Sequence, residues 1–172
     1  MIETERLILR PWRESDLAAY AAMMADPEVG YWLGGTLTAA QARTQVERLI
    51  GSDDAWAVER RGESAFIGSV GLSAVGEDIP FAPAVEVGWC LARAAWGHGY
   101  ATEAAAAVIR HGFARLGLEE IVAFTASTNL RSQAVMERLG LVRDPTRDFD
   151  HPKLAADHSL RPHVVYAATR PA

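Results

Sequence analysis

The chain has 172 residues, of which 49% are hydrophobic and 23% are charged, and its formal net charge is −5. This length and composition predict one globular domain over residues 1–172 and exclude a disordered chain. The acidic balance argues against nucleic-acid binding, because a surface that binds phosphate backbones needs an excess of lysine and arginine.

The amino terminus and the single cysteine bear on where the protein works. The first residues are acidic, with no basic segment ahead of an apolar stretch, and no run in the chain approaches the ~20 apolar residues of a membrane span. Cys90 has no cysteine partner within the chain. We therefore expect a cytoplasmic protein with no membrane partner, and the sequence leaves a homodimer open.

The first half of the chain predicts one strand, two helices and then three strands. Period-two patterns and turn residues predict the four strands at 5–11, 55–59, 65–74 and 84–92. Apolar residues at helical spacing predict the two helices at 15–26 and 38–51. Thr38 can begin the second helix by capping the backbone of Gln41.

The second half alternates helices with strands. A long helix is predicted at 100–116, a strand at 120–126, a second helix at 129–139, the start of a strand at 141–142 and a last strand at 163–168. The whole order is β-α-α-β-β-β-α-β-α-β-β. It predicts an α/β (α+β) fold with a mixed, largely antiparallel central sheet and helices on both faces.

A glycine-rich turn separates the fourth predicted strand from the long helix. Gly97 and Gly99 lack a Cβ, so main-chain N–H groups can approach an anion at the positive end of the helix. The turn does not match a P-loop, because Gly99 is followed by Tyr100, and Ala101-Thr102 replaces the third glycine of a dinucleotide fingerprint. An anion cradle and an ordinary left-handed turn are both consistent with this segment.

Residues 96–104, WGHGYATEA, resemble the acetyl-CoA pyrophosphate loop of RimJ/RimL-like acetyltransferases in the GNAT superfamily. Four other segments resemble the same group, in the same order and spacing: 4–10, 66–72, 85–89 and 129–141. One departure is Ala94, where the superfamily often has glutamine or arginine, and Arg93 lies one place earlier.

The resemblance implies a GNAT-like fold, acetyl-CoA as the acetyl donor, an amine as the acceptor and no metal. It also implies which residues contact the cofactor: Trp89, Leu91, Arg93, Gly97, His98, Gly99, Tyr100, Ala101, Thr102, Asn129, Ser132 and Met136.

Acetylation of an amine needs a neutral amine, a donor for the oxyanion and a proton for the departing thiolate. Glu86, Gly88 and Cys90 fall on one face of a predicted strand, and Gly88 leaves space beside the carboxylate. Glu86 is therefore the candidate general base. The alternative is a glutamate that pairs with an arginine or is simply solvated.

Asn129, Ser132 and Met136 share one face of the predicted helix 129–139. By resemblance, Asn129 binds CoA or a nearby water and Ser132 lies near the sulfur. Met136 stands where many members of the superfamily have a tyrosine that acts as the acid, so Ser132 becomes the candidate acid. The alternative is that Asn129 caps the helix and Ser132 fills space.

Other chemically suggestive residues favour structural roles. Cys90 has no histidine placed against it by any pattern, and the acidic and histidine-rich stretch 148–163 matches no standard set of metal ligands. By resemblance, that stretch forms a loop on the substrate side and a closing strand. Glu103 is predicted to complement the helix dipole. Four aromatic residues suit either an acceptor pocket or the core: Trp12, Tyr31, Trp32 and Trp56.

The sequence therefore predicts an acetyl-CoA-dependent N-acetyltransferase whose acceptor is a primary amine, either a protein amino terminus or a small molecule. A non-catalytic module that binds acyl-CoA is the alternative, favoured by Met136 and Ala94. A nucleotide-binding protein is disfavoured by the failed glycine motifs.

Overall fold

The computed structural model describes residues 1–171, which form a mixed sheet and helices. The nine strands within these residues are β1 Ile2–Glu3, β2 Leu7–Arg10, β3 Ala55–Arg60, β4 Ala65–Ala74, β5 Val85–Leu91, β6 Glu120–Ala126, β7 Val142–Arg143, β8 Phe149–Asp150 and β9 Pro162–Thr169. The same residues form five α-helices, which are α1 Leu17–Ala25, α2 Pro27–Tyr31, α3 Ala39–Leu49, α4 Tyr100–Arg115 and α5 Leu130–Arg138.

The sheet has the strand order β1-β2-β3-β4-β5-β6-β9-β7, and β8 pairs with β9. β5 and β6 run parallel, with Glu86 opposite Val122. Antiparallel pairing joins β1 to β2, β2 to β3, β3 to β4, and β9 to each of β6, β7 and β8. The predicted mixed, largely antiparallel fold is confirmed.

The helix α2 and the two-residue strands β1 and β8 were not predicted. The signal for α2 is present in the sequence, because Pro27 occupies a first helical position and Asp26 accepts a hydrogen bond from the backbone of Glu28 at 2.9 Å. The same Asp26-Pro27 pair also predicts the end of the preceding helix, and this second signal hides the start of α2. β1 and β8 are too short for a period-two pattern to show.

The chain forms two compact units. Unit one consists of Met1–Gly71 with Trp89–Ala107, and unit two consists of Leu72–Gly88 with the chain from Val108 onwards. Among the described helices, none combines the length and apolar character that spanning a bilayer requires.

The core of unit one is built by α1, α3 and β3 around aromatic rings. The ring of Trp12 meets that of Tyr20 edge-on at 5.3 Å. Trp56 is 5% exposed and Trp12 4%, so both belong to the core rather than to an open pocket. Tyr31 and Trp32 pack on each other at 4.8 Å, and half of Tyr31 is exposed.

The core of unit two lies on both faces of β6. One face buries Val122 with Val165 and Phe149, while Ile121 on the other face meets α4. Gly112 makes that helix contact possible, because a Cβ at this position would lie 2.8 Å from the Ile121 side chain. The close approach fixes the carboxyl-terminal half of α4 against the sheet.

Candidate active site

The turn before α4 exposes main-chain donors in unit one. Gly97 and Gly99 have φ angles of 80° and 78°, in the left-handed region that favours glycine. Both glycines and His98 are exposed, and no described residue beyond its two chain neighbours comes within 4 Å of the position a Cβ would take on Gly97. The turn therefore presents an open main-chain surface at the amino-terminal, positive end of a 16-residue helix.

The carboxylate of Glu103 anchors the amino-terminal segment to this turn. It accepts hydrogen bonds from the Thr4 hydroxyl at 2.6 Å, from the Arg6 backbone at 2.8 Å and from Arg6 Nε at 2.7 Å. Burial raises the pKa of Glu103, but the hydrogen bonds from Thr4 and Arg6 outweigh it and hold the pKa below its usual value. Glu103 was predicted only to complement the helix dipole, and these specific partners add a structural role.

Arg6 brings a fixed positive charge to the turn. Its Nη1 donates to the carbonyl of His98 at 3.0 Å, and its guanidinium carbon lies 4.9 Å from the centre of the Tyr100 ring. The side chain is 46% exposed, so its remaining donors face solvent beside the glycines. Arg6 belongs to the segment 4–10 that resembles the family, but no local pattern in the sequence indicates its contact with the turn.

Replacing Glu103 with glutamine is expected to lower the free energy of unfolding by about 1–2 kcal/mol, because two charge-assisted hydrogen bonds from Arg6 are weakened at a partly exposed site. Chemical denaturation measures this. Glu3→Gln is the matched control, since Glu3 forms an exposed ion pair with Arg61 and its loss should cost under about 0.5 kcal/mol. Equal stability losses for the two variants would contradict the anchoring role.

Arg93, a predicted cofactor contact, lies against two carboxylates of unit one. Its Nη1 is 2.7 Å from Glu28 and its Nε is 3.1 Å from Asp26, so the guanidinium ties the segment before the turn to the start of α2. The backbone carbonyl of Leu91 accepts the indole N–H of Trp96 at 2.8 Å. Trp89, the other predicted contact on β5, is half-buried.

Glu86 lies in unit two with a hydroxyl as its neighbour. Ser73 Oγ donates to the carboxylate at 3.0 Å, and no described cation forms an ion pair with Glu86. Burial raises the pKa of Glu86, and the hydrogen bond from Ser73 opposes that rise. Apart from the two chain neighbours of Gly88, no atom of the described residues lies within 4 Å of a Cβ position on this glycine, so open space lies beside the strand, as predicted. A half-buried carboxylate without a cation is suited to accepting a proton.

The predicted contacts on α5 differ in exposure. The Asn129 side chain accepts from the Ser132 backbone at 3.3 Å and donates to the Thr125 hydroxyl at 3.0 Å, and Asn129 is only 7% exposed. Asn129 therefore caps the helix, which was the alternative weighed from the sequence. Met136 is buried, whereas Ser132 is half-buried with a hydroxyl that bonds to no described residue.

Two other chemistries find no support in the described residues. Burial raises the pKa of the Cys90 thiol to about 12, so the thiolate needed for nucleophilic attack is scarce at neutral pH. Residues 1–171 contain no group of three or more histidine, cysteine, aspartate or glutamate side chains arranged to hold a metal ion.

A family model for the acetyltransferase (GNAT) domain matches residues 6–142. The chain belongs to the GNAT acetyltransferase family. The match runs from the segment that Glu103 anchors, through Glu86 and the glycine turn, to the first residue of β7. This GNAT chain is therefore an acyltransferase.

Relatives of known sequence or structure support the assignment. YoaA of Bacillus subtilis, an uncharacterized N-acetyltransferase, is 28% identical over 151 residues, which cover 84% of each chain. The protein YkkB of the same organism is 30% identical over 145 residues, 80% of the GNAT chain and 83% of YkkB.

Solved structures agree in fold. An acetyltransferase of the GNAT family from Bacillus anthracis superposes with a TM-score of 0.84 at 26% identity and covers 98% of both chains. An acetyltransferase from Agrobacterium tumefaciens superposes with a TM-score of 0.74 at 29% identity, over 97% of the GNAT chain and 92% of its own.

Proposed function

We propose that this GNAT enzyme transfers an acetyl group from acetyl-CoA to a primary amine, and that residues 1–172 act as one domain. The observation that carries the proposal is the open turn at residues 96–99, which joins exposed main-chain donors, a helix amino terminus and the anchored guanidinium of Arg6. Acetyl-CoA would supply the activated thioester. The family match covers most of unit one and part of unit two, which supports the single-domain interpretation.

The turn fits the pyrophosphate of CoA in charge and in shape. Main-chain N–H groups at a helix amino terminus bind phosphate without lysine, and the glycines keep Cβ atoms out of its path. Arg6 lies beside the turn, and the donors left over from its pair with Glu103 offer the charge that Ala94 lacks, whereas Arg93 pairs with two carboxylates. The proposed pyrophosphate contacts are Gly97, His98, Gly99, Tyr100, Ala101 and Thr102. The remaining proposed cofactor contacts are Trp89, Leu91, Arg93, Asn129, Ser132 and Met136.

Replacing Gly97 with alanine is expected to raise the Kd for CoA by roughly tenfold, because the Cβ intrudes on the anion site and disfavours the left-handed backbone that presents it. Isothermal titration measures the Kd. Gly117→Ala is the matched control: Gly117 also has a left-handed φ, 67°, and open space around it, but it follows the other end of α4. An unchanged Kd for Gly97→Ala, or equal changes in both variants, would contradict the proposed cradle.

In the proposed chemistry Glu86 accepts a proton from the acceptor ammonium or from the attacking amine, directly or through water. Its raised pKa brings it closer to that of an α-amine, about 8, than an ordinary glutamate would be. The free hydroxyl of Ser132 is the proposed proton donor to the thiolate. The resemblance to the RimJ/RimL-like group favours a protein amino terminus as the acceptor, with small amines as the other candidates.

The proposed function is tested by measuring free thiol released from acetyl-CoA in the presence of amino-terminal peptides and small amines. We expect thiol release that depends on an acceptor. Ser132→Ala should lower kcat by about 10²-fold if its hydroxyl protonates the thiolate. CoA binding without thiol release for any acceptor would contradict the proposal and favour the binding module.

A further inference from the structure

Two histidines of unit two lie side by side and have no part in the chemistry proposed above. The ring centroids of His151 and His163 are 4.9 Å apart, and the ring of Phe149 lies 6.1 Å and 5.3 Å from them, respectively. Both histidines are half-buried. Burial lowers the pKa of each, which favours two neutral imidazoles at neutral pH.

The local hydrogen bonds assign opposite tautomers to the two rings. His163 Nδ1 lies 3.0 Å from the carbonyl of Arg161, which can only accept, so Nδ1 carries the proton and Nε2 has a free lone pair. His151 Nδ1 accepts from the backbone of Lys153 at 3.3 Å, so its proton is on Nε2. Neither Nε2 has a hydrogen-bond partner within residues 1–171. The pair therefore offers one donor and one acceptor.

The charges around the pair are already compensated. Lys153 lies 3.7 Å from Asp78, and Arg161 lies 3.3 Å from Asp150. A carboxylate or an ammonium ion would therefore find no unpaired opposite charge beside the rings. An uncharged group that both donates and accepts matches this surface better.

The strand register places the pair on the same face of the sheet as Glu86. Glu86 is opposite Val122, and His163 is opposite Ala126 on the same strand. Residues 122, 124 and 126 alternate onto one face, and laterally paired residues share it. His163 is displaced from Glu86 by four residues along the strands and by two strand spacings across the sheet. These displacements put the two Cα atoms about 16 Å apart.

Half-buried aromatic rings occupy the surface between these two points. Phe124 lies on this face, and Phe81 packs against it with ring centroids 5.8 Å apart. The side chains of Glu86 and His163 extend from their Cα atoms and shorten the distance that an acceptor must span. An acceptor that contacts both side chains would need about three to five extended residues.

We propose that the His151–His163 pair is an acceptor-binding site for one extended residue of an uncharged peptide backbone, whose N–H donates to His163 Nε2 and whose C=O accepts from the N–H of His151 Nε2. This proposal rests on the proposed function, because it assigns Glu86 to the reactive amine. It makes the pair a determinant of specificity for extended acceptors such as peptide amino termini, and it disfavours amines that carry no distant amide.

The test compares acceptor amides of one and of five residues, with His151→Phe and His163→Phe, which keep ring packing but remove the ring nitrogens. Each variant should raise KM for the five-residue amide by about three- to tenfold and leave kcat and the KM for the one-residue amide unchanged. His163→Gln, which retains an acceptor, should show a smaller rise. His158→Phe is the matched control, since His158 Nδ1 makes the same kind of local bond, to the Leu160 backbone at 3.1 Å, on an exposed ring.

Binding of the five-residue amide to the CoA-bound protein, measured by titration, gives a readout that does not depend on turnover. Weaker binding in both phenylalanine variants supports the site. Equal effects on short and long acceptors, or no effect on either, would overturn it. If the unaltered protein acetylated no acceptor, the proposed function would be wrong. If turnover were normal and neither histidine variant changed it, only the proposed acceptor site would be wrong.

Discussion

Replacing Glu86 with glutamine is expected to lower kcat for acetyl transfer by roughly 10²-fold or more, since a positioned general base contributes at least that factor. Glutamine keeps the size of the side chain and can still accept from Ser73, but it cannot take a proton. Steady-state kinetics with saturating acetyl-CoA measure the effect. The Kd for CoA should stay within about twofold of that of the unaltered enzyme, which shows that the loss is chemical.

The pH profile separates a base from a structural carboxylate. Glu86 acts only when ionised, so kcat/KM should fall as the pH drops through its pKa, which burial raises above the usual value. Ser73→Ala removes the hydrogen bond that lowers this pKa, so the acidic limb should move to higher pH. Glu86→Gln should lose that limb. A glutamine variant with unaltered kcat and an unaltered acidic limb would exclude Glu86 as the base.

Replacing Arg10 with methionine is expected to lower the free energy of unfolding by about 3–5 kcal/mol, because it leaves two carboxylates without their cation in the interior. Arg10 is 4% exposed and donates to Asp16 at 2.9 Å and 2.7 Å and to Glu59 Oε2 at 2.6 Å. Asp16 and Glu59 are themselves only 3% and 9% exposed. Denaturant unfolding at neutral pH measures the loss.

A control variant and the pH dependence distinguish the buried network of Arg10, Asp16 and Glu59 from an ion pair on the surface. Arg60→Met, which breaks an exposed pair with Glu63, should cost under about 0.5 kcal/mol. Burial raises the pKa of Asp16, but hydrogen bonds from Arg10 and Arg13 outweigh it, so ionised Asp16 stabilises the fold above pH ~4 and this stability is lost as the pH falls. In the Arg10→Met variant, burying Asp16 costs less free energy when its carboxyl is protonated than when it is ionised. The difference in the free energy of unfolding between the variant and the unaltered protein should therefore shrink below pH ~4. A loss under about 1 kcal/mol at neutral pH would contradict the network.

Local patterns predicted the elements whose signals are local. The capping box at Thr38 and Gln41 forms as expected, with hydrogen bonds at 3.3 Å and 2.9 Å, and α3 begins at the next residue. The strands 120–126 and 65–74 are found with the predicted bounds. α2 was not predicted because Asp26-Pro27 both ends α1 and begins α2. The rule that a residue before proline ends a helix accounts for the first role and does not show the second.

The partners of the site residues could not be predicted in the same way. Arg6 and Glu103 are 97 residues apart, so nothing in either local pattern shows that their side chains meet. Glu86 and Ser73 meet only because the fold brings β4 and β5 together in the sheet. Residue spacing predicted that Glu86 lies on a strand face beside Gly88. Whether its carboxylate is next to a cation, water or a hydroxyl depends on long-range packing, which local spacing does not show.

Transfer of an acetyl group from acetyl-CoA to an amine can be observed directly in the acceptor. The protein is incubated with acetyl-CoA labelled in the acetyl group and a five-residue peptide with a free amino terminus, and the peptide is then analysed by mass spectrometry. We expect label on the α-amine of the peptide and its near absence with Glu86→Gln. Label that remains in acetyl-CoA, or is released as acetate with the peptide unmodified, would contradict transfer to a peptide amino terminus, and the same result with small primary amines would contradict the proposed function.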